Sequence, residues 1–224
     1  MKAMKQMKHV MLTLAIAFVM ALAFSVSAKA ELVTPGKVTG IKQVDAGSDL
    51  KITWTALLTN DVRYNVEVST DKQNWVSKED NLAGNSAQIR GLTAGSTYYV
   101  RVQGFTSERQ NGEVVYARGA YSDVVECVTA PNEKVSYLKK IDSTTSSVTL
   151  EWPSVSGANA YKVKLGGAKT GETIIYGTGA KITYTITGLS GDAAYTASVY
   201  PAKANSTKSF VACNEMYYNC ETIY

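Results

Sequence analysis

A twelve-residue phrase occurs twice in this chain, 97 positions apart, and it constrains the fold more than any other feature. Residues Gly91 to Val102 carry Leu92 and Tyr98 six positions apart, with a turn between them and an alternating stretch after. Gly188 to Val199 repeat this with Leu189 and Tyr195. The same offset carries Val38 to Asp45 onto Val135 to Asp142, and Tyr64, Val66 and Val68 onto Tyr161, Val163 and Leu165. One position further, Leu50, Ile52 and Trp54 answer to Val148, Leu150 and Trp152. Apolar residues at every second position mark half-buried strands, and self-similarity at a fixed spacing marks one structural unit built twice.

No stretch after residue 30 sustains a helical period. Short alternating runs separated by Gly, Asn, Asp and Ser turns predict an all-β chain with one sandwich in each half. Pro131 cannot donate to a strand ladder, so Thr129-Ala130-Pro131-Asn132 is read as the boundary. The expected organisation is a signal peptide over residues 1–30, a first domain over 31–131 and a second over 132–224.

The leader reading rests on Lys2, Lys5 and Lys8, an apolar run from Val10 to Phe24, and small residues ending in Ala28-Lys29-Ala30, with cleavage expected before Glu31. The run falls short of the roughly 20 residues that span a bilayer. Removing it changes the charge. Of 23 Lys and Arg, four lie in the leader, which leaves 19 against 19 Asp and Glu. A neutral chain lacks the basic footprint of a nucleic-acid binder or of a protein that lies on anionic lipid. The sole histidine, His9, belongs to the leader too, so the mature chain has no imidazole for an activated nucleophile or a metal. No catalytic residue, cofactor or metal site is expected. No Cys at the end of the leader and no apolar tail offers an anchor, so secretion is expected, with retention at the cell surface as the alternative.

These residues resemble tandem fibronectin type III domains of the bacterial secreted type. The resemblance rests on Pro35 with Val38, on Trp54 and Trp152, on Tyr64 and Tyr161, and on the Leu-to-Tyr phrases. Ser69 to Trp75 resembles the strand–turn–Trp phrase of bacterial members, and Gly119 to Ser122 the entry to the last strand. It implies two immunoglobulin-like sandwiches in which Trp54, Tyr98, Trp152 and Tyr195 are structural, the two tyrosines bonding back to upstream backbone. In the second unit no counterpart of Trp75 exists, and the closing strand is expected over residues 218–224 after a long loop from 204 to 217.

Three cysteines in an exported chain allow oxidation. A Cys213–Cys220 disulfide is the preferred pairing, with free thiols or a bridge to Cys127 as alternatives, and metal binding lacks both histidine and C-x-x-C spacing. Glu67, Asp71, Glu79 and Asp80 crowd one stretch and raise the thought of paired acids, yet solvated charge is the simpler reading. Alternation turns Arg63 and Glu67 of the third strand outward, with Tyr99 and Arg101 of the sixth. Tyr116, Tyr121, Tyr217 and Tyr218 are expected on long loops before the last strands, where rigid scaffolds carry binding residues. Such an aromatic and charged surface suits a protein or a sugar. The expected function is a non-enzymatic binding or spacer protein that contacts an extracellular or cell-envelope protein. The alternative is a carbohydrate-binding accessory module beside a glycoside hydrolase.

Overall fold

A computed structural model describes residues 32–45, 47–216 and 218–223; the expected leader lies outside the described residues. Thr34 to Tyr224 form one compact unit, all-β, with two sandwich-like sets of sheets. In the first set, β1 (Lys42–Gln43), β2 (Leu50–Thr53) and β5 (Ser86–Ile89) make a three-stranded sheet in the order β1-β2-β5. Facing it, β4 (Val76–Leu82), β3 (Arg63–Ser69), β6 (Thr97–Gln110) and β7 (Glu113–Tyr121) run in that order, and β8 (Val125–Val128) also pairs with β6. The second set repeats the plan. Its smaller sheet is β13 (Lys181–Thr187), β10 (Ser147–Pro153), β9 (Lys139–Ser143). Its larger one is β12 (Gly171–Tyr176), β11 (Ala160–Gly167), β14 (Tyr195–Ala204), β15 (Val211–Cys213), with β16 (Asn219–Ile223) on β14.

Alternation explains the layers. Along β3, Tyr64, Val66 and Val68 are buried between more exposed neighbours, as successive side chains of a strand point to opposite faces. Each core centres on a tryptophan met edge-on by a tyrosine: Trp54 and Tyr64 with ring centroids 5.3 Å apart, Trp152 and Tyr161 at 5.6 Å. Both indole N–H groups are buried with no acceptor among the described residues, so the copies agree even in this detail. Each core tyrosine also fastens a loop. The hydroxyl of Tyr64 accepts from the Leu57 N–H at 2.9 Å, and that of Tyr161 from the Val155 N–H at 3.0 Å.

The Leu-to-Tyr phrases close the opposite end of each sandwich. The hydroxyl of Tyr98 accepts the Thr93 N–H and that of Tyr195 the Ser190 N–H, both at 2.8 Å. Both rings are buried, so one side chain fills the core and satisfies a loop donor that would otherwise be left without a partner.

Two differences separate the copies. In the first, β6 and β7 form a long hairpin through a two-residue turn at Asn111 and Gly112, with φ of 51° and 90°. Two positive φ values in succession define the tight turn that matches strand twist, and Asn-Gly is its preferred sequence. In the second, the shorter β15 leaves a turn from Asn205 to Phe210 that reaches the first sandwich. There Glu126 accepts from the Ser206 N–H at 2.7 Å and hydroxyl at 2.5 Å, and Phe210 packs with Val128, Ala130 and Ala212. Gly95 and Gly157 meet backbone to backbone, and a Cβ on either would lie 2.8 Å from the other's Cα. Only glycine permits that approach.

Tyr98→Phe and Tyr195→Phe remove one hydroxyl each and leave the ring. Each is expected to lower unfolding free energy by about 1–2 kcal/mol, through an unsatisfied loop N–H, in urea titrations followed by tryptophan fluorescence. No change from either would mean that these bonds do not hold the corners.

Candidate functional site

The outward face of the larger sheet in the first sandwich gathers most of the candidate binding residues. Register places Glu67 of β3 opposite Arg101 of β6, Asn65 opposite Gln103, and Arg63 opposite Phe105. The Arg101 Nε–H donates to Glu67 Oε2 at 2.8 Å, and a terminal nitrogen reaches the same oxygen at 2.6 Å. Tyr121 of β7 donates its hydroxyl to Glu67 Oε1 at 2.7 Å. The guanidinium plane lies 3.8 Å from the Tyr121 ring centroid and 4.1 Å from that of Trp75. Burial first, then the bond to Glu67, pushes the Tyr121 phenol up from its ordinary value, which keeps it protonated as a donor.

Trp75 is delivered by a turn. Asp71 Oδ1 accepts the N–H groups of Gln73 and Asn74, both at 2.8 Å, and these bonds hold its carboxyl well below the usual range. The Trp75 indole donates to the Lys72 carbonyl at 3.2 Å, and the Lys72 ammonium sits 4.3 Å from the Tyr99 ring centroid. Each aromatic ring at this end of the face therefore carries a cation of the same chain. Arg101 and Glu67 are only 23% and 19% exposed, so their pairing is a partly buried contact and not a solvated surface bridge.

The other end of the face is more open. Arg118 of β7 stands opposite Phe105, its guanidinium 5.3 Å from that ring centroid and 4.9 Å from that of Tyr116. Phe105 and Tyr116 meet edge-on at 5.7 Å. A cavity of about 290 Å³ opens here, lined by Asn65, Asp80, Asn81, Phe105, Ser107, Tyr116 and Arg118.

Several sequence expectations need correction. Tyr116 and Tyr121 lie within β7 and not on a loop; the Asn111-Gly112 pair between alternating runs was the signal for that hairpin. Trp75, Phe105 and Arg118, which complete the face, were not among the candidate residues. Tyr217 lies outside the described residues. Tyr218 stands apart from this face, stacked on Tyr200 with centroids 5.1 Å apart, beside Lys162 and Lys164, which share Glu215. Hydrogen bonds to Glu215 and Glu172 push the Lys164 ammonium well above its ordinary value. The Cys213–Cys220 disulfide is absent: all three cysteines are free thiols. Cys213 pairs with Ala202 and Cys220 with Ser198, four positions apart along β14. That spacing is about 13 Å at 3.3 Å per residue, beyond the roughly 7 Å that a disulfide spans between Cα atoms. Burial pushes the Cys127 thiol up to about 12, far from a reactive thiolate.

Three of the four crowded carboxylates have structural occupations. Glu67 serves Arg101 and Tyr121, Asp71 caps its turn, and Asp80 accepts the Ser77 hydroxyl at 2.7 Å. Asn205 accepts the Phe210 N–H at 3.1 Å and donates to Ser209. Among the described residues no group of three His, Cys, Asp or Glu is placed to hold a metal, and no helix is long and apolar enough to cross a membrane.

Arg101→Ala is expected to cost about 2–3 kcal/mol, because it removes two cation–π contacts and strips a partly buried carboxylate of its main donor. Arg101→Lys is expected to recover less than half, since an ammonium cannot present a flat plane to two rings at once. Urea titration of both variants checks this; equal stability of Arg101→Lys and the parent would show that charge alone matters.

Residues 34–117 match the profile of the fibronectin type III domain. Chitinase A1 of Niallia circulans is 29% identical over 187 residues, a match covering 76% of this chain and 25% of that protein. The chain thus spans about a quarter of the length of that curated relative. Among solved structures, the FN1–FN3 domains of chicken CNTN1 align over 86% of this chain and 68% of theirs, at 15% identity and a TM-score of 0.47. A two-domain fibronectin type III segment of chicken tenascin aligns over 83% and 98%, at 14% identity and a TM-score of 0.38. Residues 34–117 thus carry the match to the fibronectin type III domain, and a second set of sheets repeats the strand plan of the first.

Proposed function

We propose that this chain is a non-enzymatic binding or spacer protein that works by protein–protein contact outside the cell, as two domains over residues 31–131 and 132–224 behind a cleaved leader. The observation that carries this reading is the enclosure of Arg101 between Trp75 and Tyr121. Sugar rings bind by stacking on open aromatic faces, and here those faces already hold cations from the same chain. What the sheet leaves to solvent is an edge strand and hairpin bearing Val114, Val115 and Tyr116, which suits contact with another protein. The engaged carboxylates offer little to acid–base chemistry, which needs a titrating group free to exchange its proton.

A second reading has one observation in its favour. The similarity to Chitinase A1 supports an accessory module that works beside a glycoside hydrolase, positioning it or spacing it from its substrate. Such a role is compatible with the same scaffold and does not require the chain itself to hold sugar.

The two are separated by retention. Immobilised chain is exposed to envelope and extracellular fractions, and in parallel to a glycan array that includes chitin oligomers. Retention of a protein that disappears when the fraction is digested with trypsin first, with no signal on the array, is expected. Retention of polysaccharide alone would overturn the protein-contact reading.

A further inference from the structure

Four cations of the first sandwich have acidic partners. Lys37 pairs with Asp123, Lys51 with Asp45, Arg90 with Asp49 and Arg101 with Glu67. Of the cations with no carboxylate partner among the described residues, two are Arg63 and Arg118. Register sets them on either side of Phe105 in a single row across β3, β6 and β7. Neighbouring strands lie about 4.8 Å apart, so Arg63 and Arg118 leave the sheet at positions flanking Phe105 on one face.

Arg118 is held in place without being neutralised. Its guanidinium rests against Phe105 and Tyr116, so little side-chain freedom remains to be lost when an anion binds, and its fork of donors suits a carboxylate. The cavity beside it adds neutral donors. Asn65 uses its Oδ1 to accept the Asn81 N–H at 3.1 Å, which leaves its NH₂ to donate. Asn81, Ser107 and Tyr116 complete that part of the lining. Asp80 is the sole carboxylate of the lining and is already engaged by the Ser77 hydroxyl, while Arg118 in the lining has no carboxylate partner among the described residues. Asn81 has a φ of 60°, and β4 breaks register against β3 between Tyr64 and Val66. The cavity thus opens where the edge strand bulges away.

We infer that this cavity is an acidic-residue pocket: it takes an Asp or Glu side chain of a partner protein, with the carboxylate on Arg118 and Arg63 adding attraction from the rim. This rests on the protein-contact reading and names the chemistry of the contact. A volume of about 290 Å³ lies at the lower end of ligand cavities and fits one anchoring side chain better than a run of uronate rings. The exposed Val114 and Val115 of the adjoining hairpin supply the apolar rim that protein contacts use.

The test uses the whole chain, isotope-labelled, and three probes: a ten-residue peptide alternating Glu and Val, its Gln counterpart, and a galacturonate trimer. The Glu peptide is expected to shift the Arg118 Nε–H and the Asn65 and Asn81 amide signals at millimolar concentration, the Gln peptide to leave them in place, and the trimer to act far more weakly. Arg118→Gln is expected to weaken the Glu peptide about tenfold and Arg118→Lys by less, as for loss of one charge-assisted contact. Arg90→Gln, on the other sheet, should leave affinity unchanged. Unfolding midpoints of the Arg118 variants show whether Phe105 stays covered. Absence of shifts, equal binding of the Gln peptide, unaltered affinity of a folded Arg118→Gln, or shifts from the trimer alone would each overturn the pocket. If the immobilised Arg118→Gln chain still retains the wild-type partner, the pocket fails while the protein-contact reading stands.

Discussion

Two buried tyrosine hydroxyls, each 2.8 Å from a loop N–H five residues upstream, set the frame on which the rest of this molecule depends. Tyr98 and Tyr195 start the long central strands β6 and β14, and these strands pair with most of the larger sheet in each sandwich. Fixing where they begin fixes which residues face in and which face out, because a slip of one residue would turn every side chain to the other face. The second pair of hydroxyls, on Tyr64 and Tyr161, does the same for the loops before β3 and β11. With both ends fastened, the Trp–Tyr cores pack alike in the two copies.

Given that frame, the copies diverge on their outward faces. In the first, position 101 is an arginine, and it draws Glu67, Trp75 and Tyr121 into one contact group spanning β3, β6 and β7. In the second, the offset of 97 places Ser198 there and Lys164 opposite, and the face is knit instead by Lys162, Lys164, Glu172 and Glu215. Both solutions neutralise charge internally. The row through Phe105 sets two guanidiniums with no carboxylate partner among the described residues beside one ring, and for that reason the proposed recognition is assigned there.

The sheets were legible in the sequence because burial and alternation are local properties: Leu50, Ile52 and Trp54, or Tyr64, Val66 and Val68, reveal their strands without reference to anything distant. The outward direction of Glu67, Tyr99 and Arg101 followed from the same parity. What parity cannot report is which outward side chains meet. The stack on Arg101 needs Trp75 from a turn and Tyr121 from β7, 54 residues beyond Glu67, and only pairing of distant strands brings them together. Tyr116 belongs to a strand and not to a loop because Asn111-Gly112 turns the chain in a tight hairpin. The cysteines do not pair because β15 and β16, though close in sequence, dock at separate positions along β14.

The proposed recognition lies on the outward face of the first sandwich. Hydrogen–deuterium exchange of the whole chain, alone and with the captured partner protein, tests this most directly. Slower exchange is expected in peptides covering residues 63–69, 79–82 and 105–121, with residues 139–223 unchanged. Protection confined to the second sandwich, with β3 and β7 exchanging as in the free chain, would contradict it.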